Sequence, residues 1–198
     1  EEDIGLLGNA NRTYIAKTGS ELNFEGVATF EQLGYFYQSG IYATTPTTDT
    51  SSAKVWTWNA QSKATDLIAT TDLQTYTIEF GDNTQCEVAS YCFTRQYSLS
   101  GSVRAALMIN ATMEGRTVGT TDFTPSTDAP LVDADSILFT NSELYIDNVT
   151  SSTDIGVTQV SQTLFQAQLN HTTGWNGYPA ADGRTDFSFI KRVKDEIT

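Results

Sequence analysis

Leu22 to Gly40 reads LNFEGVATFEQLGYFYQSG, and the change of period inside it decides the fold. Leu22, Phe24 and Ala28 alternate with Asn23, Glu25 and Val27, the period of two of a half-buried strand. At Thr29 the period changes. Thr29-Phe30-Glu31-Gln32 fits a capping box, with the Thr hydroxyl and the Gln amide each satisfying a free backbone N–H. Phe30, Leu33, Tyr37 and Ile41 then fall at helical spacing, with Glu31, Gln32 and Gln38 off that stripe. Gly40 stands where a left-handed cap ends a helix. The stretch predicts a strand followed by an amphipathic helix, about residues 29–40, that covers one side of a sheet.

The rest of the chain is strand-like. Its 198 residues suit one domain with a real core or one with extended arms. Tyr, Phe and Trp are plentiful, Thr and Ser abundant, and only 18% of residues are charged, which favours a mainly β protein. No apolar run approaches a membrane span and no basic-then-apolar leader is visible, so a soluble chain is expected. The net charge of −13 argues against DNA binding through a basic patch and fits plain solubility, or a wall past which DNA moves without sticking.

Cys86 and Cys92, in one continuous strand, stand roughly 20 Å apart at about 3.3 Å per residue, beyond the ~7 Å limit for a bridge. Free, buried thiols and a reducing compartment are expected. The N-x-Thr triplets at Asn11, Asn110, Asn148 and Asn170 are discounted as chance in a Thr-rich chain.

Residues 1–21 show weak periodicity and read as an arm. Ala43 to Lys54, ATTPTTDTSSAK, is almost free of apolar side chains and predicts a long exposed loop. Lys54 to Asn59 and Tyr76 to Phe80 alternate as strands. Between Glu87 and Glu114 a long hairpin is expected, closed by Leu99-Ser100-Gly101 with Gly101 left-handed. That closure pairs Tyr97 with Val103, Phe93 with Leu107, Tyr91 with Ile109 and Ala89 with Ala111 on a core face. The other face, small and polar, meets water or a lumen. Val157 to Leu169 alternates again, Asn170 to Asp186 reads as a Gly-rich loop, and the chain ends in a strand and the tail KRVKDE.

Catalytic and metal-binding candidates are few. His171, the one histidine, reads as lying in a polar loop without a Cys nearby, which gives no support to a metal site or a His-based triad. Asp122, Asp128, Asp133 and Asp135 cluster in sequence, but a solvated loop explains them better than a glycosidase pair, and their spacing is not that of an EF-hand. Neither a phosphate loop nor a nucleophile elbow occurs. No catalytic residue, metal or cofactor is expected. The chain reads as a building block.

In that light, the order NFEGVATFEQLGYFYQSG, low-complexity loop, LQTYTIEFGDN, CFTRQYSLSGSVRAALMINATMEGR resembles the tail tube (major tail) proteins of long-tailed, non-contractile bacteriophages. The strand-helix unit Glu25 to Tyr35, the strand Tyr76 to Glu79, the Gly-Arg ending at Glu114-Gly115-Arg116 and ELYIDN at Glu143 to Asn148 carry the likeness, over residues 4–192. A departure is the start, where such a protein is expected to have some chain ahead of Glu1.

The resemblance implies packed antiparallel sheets, a sandwich or half-barrel, with one flanking helix. It implies hexameric rings stacked into a tube around a tape-measure protein, through which double-stranded DNA later passes. Tail tip and tail terminator proteins would be further partners, and the place the virion tail, assembled in the host cytoplasm. On this expectation the loop carrying Thr45, Pro46, Thr47, Asp49, Ser51 and Lys54 makes inter-ring contacts, and residues 1–21 and 188–198 are arms. The lumen face would carry Ser90, Thr94, Gln96, Ser98, Ser102, Arg104, Asn110 and Thr112. The alternatives are a ring protein of a related injection or secretion machine, and a secreted β-sandwich that binds carbohydrate through Trp56, Trp58, Trp175 and Tyr178. Core packing is the plainer role for those four aromatics.

Overall fold

The structure is a computed structural model of the chain, and it describes residues 15, 17–48, 54–58, 73–82, 84–124, 135–147, 156–193 and 196–198. It is mainly β, with one α-helix among the described residues. β1 (Ser20–Val27) alternates half-buried and exposed side chains along all its residues. α1 (Phe30–Gly40) follows, and Thr29, extended at φ −120° and ψ 154°, accepts the Gln32 N–H on its hydroxyl. Leu33 and Ile41 are buried, whereas Phe30, expected on the inner stripe, is 67% exposed. A helical side chain leans toward the N-terminus, so at the first turn Phe30 projects past the sheet that Leu33, Phe36 and Tyr37 cover.

Gly40 has a different role from the one its position suggests. It is the last helical residue, and Ile41 (φ −100°, ψ −72°) ends the helix with its N–H on the Tyr37 carbonyl. A Cβ at Gly40 would come within 3.0 Å of Thr173 Cγ2 and 3.2 Å of Thr94 Cβ. The glycine lets the helix touch the sheet.

Small strands follow: β2 (Thr47–Thr48) pairs with β3 (Lys54–Val55), and β4 (Tyr76–Gly81) joins the main sheet. The flanks of the expected long loop are therefore an exposed antiparallel hairpin, tied by Lys54 Nζ donating to Thr48 Oγ1 at 2.8 Å. Backbone pairing supplies what the missing apolar side chains cannot.

The long hairpin is present, with a corrected register. β5 (Cys86–Ser102) returns as β6 (Met108–Gly115) and, past Arg116, β7 (Thr117–Thr121). Leu99 pairs with Ile109 and Tyr97 with Ala111, so the closing loop is residues 103–107, with Arg104 at φ 67°. Gly101 sits inside β5 because a Cβ there would lie 2.3 Å from the Phe139 ring. Between Thr94 and Gln96 the register shifts by one residue. Beyond that bulge the side chains of β5 exchange faces relative to β6.

β8 (Gln166–Thr172) pairs along the other edge of β5, and β11 (Glu196–Ile197) pairs with β8, giving the order β1-β6-β5-β8-β11. Toward its start β5 pairs instead with β4 and β7. β9 (Trp175–Tyr178) and β10 (Phe189–Arg192) form a separate pair. Two sequence expectations change here. The segment 188–198 is not an extended arm: it contains β10 and β11, with Ile190 and Arg192 buried. Residues 170–186 are not one loop, since they include the end of β8 and all of β9. Of the expected N-terminal arm, 1–14 lie outside the described residues, and Ser20–Glu21 belong to β1.

Among the described residues, three clusters make the core. Ala28, Leu33 and Ile109 sit under α1; Ala89, Cys92 and Met113 meet Leu22, Phe24, Ile78 and Phe80; Phe93, Trp175, Phe187 and Ile190 join the β9–β10 pair to the sheet. Each fully buried Leu- or Phe-sized side chain is worth about 1.5–3 kcal/mol. Arg192 Nε donates to the Thr173 carbonyl at 2.9 Å, which satisfies part of a buried guanidinium.

Two outcomes are expected. Gly101→Ala should lower stability by about 1–3 kcal/mol in chemical denaturation, because the new methyl meets the Phe139 ring; an unchanged midpoint would reject the corrected register. The carboxylate of Asp147 accepts the Gly156, Val157 and Thr158 N–H groups, and its pKa is lowered, first by the Thr158 side-chain hydrogen bond. A lowered folded-state pKa gives a contribution present above the ordinary value of about 3.9 and lost as pH falls through the folded value. The amides of Gly156 and Thr158 should therefore lose exchange protection as the pH falls below about 4, the ordinary carboxylate value, while those of β5 keep theirs.

Candidate functional site

The best candidate site is the outer face of the five-stranded sheet. In β1, β6, β5 and β8 the residues that alternate away from α1 are mainly short, polar or acidic, with Val27 and Met108 as exposed apolar exceptions. They align in rows across the strands. One row runs Asn23, Thr112, Gln96, Thr172, Glu196, and the next runs Glu25, Asn110, Ser98, Asn170. Thr112 Oγ1 donates to Asn23 Oδ1 at 2.9 Å and Gln168 Nε2 to Asn170 Oδ1 at 3.1 Å, so neighbouring strands are tied at the surface as well as through the backbone. Val27, Met108 and Ser100 continue the face toward the hairpin loop.

The charge on this face is negative. Glu21, Glu25, Glu114 and Glu196 lie on it, against Arg95, whose Nε is 3.6 Å from Glu114 Oε2. At one end Lys17, Glu21, Arg95, Glu114 and Phe187 line a small cavity of about 290 Å³, and the acidic face as a whole does not attract anions. It repels phosphate at range instead.

Of the residues read as a lumen face, Gln96, Ser98, Ser102, Asn110 and Thr112 come together here. Thr94 does not. The bulge turns it to the opposite face, where it is fully buried and its hydroxyl meets Ser39 Oγ at 2.7 Å. Ser90 lies beyond the five strands, in the part of β5 paired with β4 and β7, hydrogen-bonded to the Thr117 hydroxyl. Arg104 is exposed in the closing loop. Sequence reasoning missed Glu21, Asn23 and Glu25 of β1 and Gln168, Asn170 and Thr172 of β8. The alternation of Asn23 and Glu25 against Leu22 and Phe24 is visible in sequence, but which strand lies beside which is not.

The proposed contact loop is described in part. Thr45, Thr47 and Lys54 are exposed and Pro46 is half-buried, while Asp49 and Ser51 lie outside the described residues. The four aromatics of the carbohydrate reading do not form one platform. Trp56 and Trp58 stack at 5.7 Å beside Tyr37, whereas Trp175 is buried against Phe93 and Phe187, and Tyr178 stacks on Phe189.

Groups with chemical potential are structural where they are described. His171 is not in a polar loop: it is a buried residue of β8, with Nδ1 2.9 Å from the Tyr97 hydroxyl. Cys86 and Cys92 are free and buried, and burial pushes the Cys92 thiol up to about 11, far from a reactive thiolate. Among the described residues, no three His, Cys, Asp or Glu side chains gather as metal ligands. Among the described residues, no helix is long and apolar enough to cross a membrane.

With Cys86 and Cys92 replaced by Ser, Asn110→Cys should react with a water-soluble maleimide at close to the rate of a free thiol. Thr94→Cys should react at least tenfold more slowly, its access gated by local opening. Equal rates would place the two side chains on one face and reject the bulge.

Comparison with known proteins adds no identification: no family model matches the chain, and no curated protein matches it.

Proposed function

We propose that this chain is the structural subunit of a tube, assembled as stacked hexameric rings whose inner sheets join into one barrel, as in the phage tail tubes that its sequence resembles. The observation that carries this reading is an acidic sheet face whose edges are partly open among the described residues. β1 is paired on one side along its whole length, and on the far side the chain end covers β8 from Asn170 to Thr172 and leaves Gln166–Leu169 without a partner strand there. Unpaired N–H and C=O groups on a long edge strand are a template for another chain. In a ring each copy's β1 edge would meet the β8 side of the next.

The dimensions fit. The sheet offers four strands of seven residues or more, β1, β6, β5 and β8. Six copies would give 24 strands; at ~4.7 Å spacing and ~40–45° tilt the backbone diameter is about 50 Å. Side chains would leave a bore of roughly 40 Å, wide enough for a duplex of about 20 Å. Six copies carry −78, six times −13, and the carboxylates on the face would repel DNA in transit and not capture it. The tape-measure protein before ejection and double-stranded DNA during it are the proposed occupants, with tail tip and terminator proteins at the two ends. The exposed β2–β3 hairpin is the proposed inter-ring contact.

A carbohydrate-binding module is the second reading, and the half-exposed Trp56–Trp58 stack favours it. Sugar binding through that pair would quench Trp fluorescence on a glycan panel.

Negative-stain electron microscopy over a range of concentrations, with mass in solution alongside, tests the first reading. Rings or tubes with an open bore are expected. In those tubes Asn110→Cys should be shielded from a bulky maleimide by at least tenfold relative to the free subunit, as access is limited to the tube ends. Equal labelling in tubes and free subunits would falsify the lumen placement.

A further inference from the structure

β5 is continuous over 17 residues, yet its ladders break at one place on both edges. On the β4 side the register shifts between Tyr76 paired with Cys92 and Ile78 paired with Ala89, so Ser90 and Tyr91 together oppose Thr77. On the other side pairing stops at Phe93 with Glu114 and resumes at Ser90 with Thr117, bridged by the Arg116 N–H on the Ser90 carbonyl. At the break, Tyr91 has φ 57°, a left-handed conformation uncommon for an aromatic residue and found where surroundings impose it. Beyond it, β4, the first part of β5 and β7 form a three-stranded lobe.

What imposes the conformation is a clasp on the outer face. The Arg116 guanidinium lies 5.4 Å from the Tyr91 ring and 5.5 Å from the Phe187 ring, and donates to the Ser188 carbonyl at 3.2 Å. Its Nε is 3.6 Å from Asp186 Oδ2. Asp186 is 8% exposed and is gripped by Arg184, whose Nε and Nη2 donate to its two oxygens at 2.7 and 3.1 Å. The segment carrying Asp186 is in turn fixed to the body: Ser188 N donates to the Tyr178 carbonyl, and Phe187 packs with Phe93 and Trp175. A bidentate, largely buried carboxylate holds geometry in a way that an exposed ion pair does not.

On the inner face, opposite the clasp, lies a groove of about 810 Å³ between the lobe and the body. Residues 76–79 of β4 form one wall, β1 and the Tyr35 and Phe36 side of α1 the other, and Ile109 and Met113 the floor. Ile78 and Phe80 share the Ala89–Cys92–Met113 cluster with Leu22, Phe24 and Phe36, Tyr76 meets Tyr35 edge-to-face at 5.5 Å, and just ahead of β4 the Gln74 N–H donates to the Gln38 carbonyl at 3.2 Å, so the apolar contacts tolerate a small rotation about that one backbone tie.

We propose that Tyr91 and Arg116 form a joint in the long hairpin, that the Arg116–Asp186–Arg184 clasp latches the outer lobe at one angle, and that its release opens the groove between β4 and β1. The device does not rest on the tube reading, since the joint and the clasp are built from Tyr91, Arg116, Asp186 and Arg184, although β1 is both a wall of the groove and an edge used in the proposed ring.

Hydrogen exchange on the full chain tests it with Asp186→Asn. Amides of Tyr76–Gly81 and Thr117–Thr121 should exchange about tenfold faster or more, while those pairing Gln96–Ser100 with Met108–Thr112 keep their protection. In a Cys86→Ser background the Cys92 thiol, fully buried beneath the lobe, should gain reactivity toward a small maleimide by a similar factor. Arg184→Gln, a milder change because that side chain is 46% exposed, should move both readouts the same way and serves if Asp186→Asn does not fold. Protection falling equally in lobe and sheet, or no change in the lobe with either variant, overturns the proposal.

Discussion

The pairing of β5 on both of its edges is the constraint on which the rest depends. A strand of 17 residues that is hydrogen-bonded left and right has no freedom to slip, because a shift of one residue would expose its core face and bury its polar one. β6 and β7 follow as its return, β4 and β8 divide its other edge, and α1 lies on the face that Tyr97 and Leu99 present. The helix is short and weakly placed by propensity alone. Its position comes from Leu33 and Ile41 in the core and from Gly40, which admits Thr94 and Thr173 to van der Waals contact. Ser39, one residue earlier, donates to the Tyr35 carbonyl or meets the Thr94 hydroxyl, so the same contact satisfies buried polar atoms.

How far the sequence could be read follows from the range of each interaction. The period of two in Leu22–Val27, the cap at Thr29 and the helix to Gly40 are set by neighbours a few residues apart, and they are legible. The existence of the long hairpin is legible for the same reason. Its register is not. Ser100-Gly101 resembles a turn, but Gly101 is small because Phe139, 38 positions later, presses on it. The displaced register keeps odd residues opposite odd ones, which is why Gln96, Ser98, Asn110 and Thr112 share one polar face in either register. Thr94 failed because one extra residue at the bulge reverses every side chain after it. His171 and Trp175 looked like loop residues for lack of alternation around Gly174, and long-range pairing with β5 and β10 buries them.

The two faces of the sheet divide the physical work. Toward α1 the groups are apolar or locally satisfied, as with the Tyr97–His171 pair, and they set stability. Away from α1 they are mainly short amides, hydroxyls and carboxylates, some tied across strands, and these fix the face chemically. The cysteines belong to the first set. A thiol raised to about 11 by burial is inert, so Cys92 acts as a small core residue.

An exposed edge strand is normally defended by charge, proline or a bulge. β1 carries Glu21 and Glu25 on its solvent face and has no proline, and its alternation runs unbroken for eight residues. Two such edges brought together side by side would place Glu21 and Glu25 near whatever the next copy presents, and like charge would then oppose pairing. The uncovered part of the β8 edge answers this with Gln166 and Gln168, which are neutral donors and acceptors, while Glu196 of β11 stands at its far end. An acidic edge facing an amide edge is compatible, whereas β1 facing β1 sets carboxylates against carboxylates. The charge pattern therefore favours head-to-tail contacts over two-fold ones, and a head-to-tail contact is the kind that closes into a ring when its rotation permits.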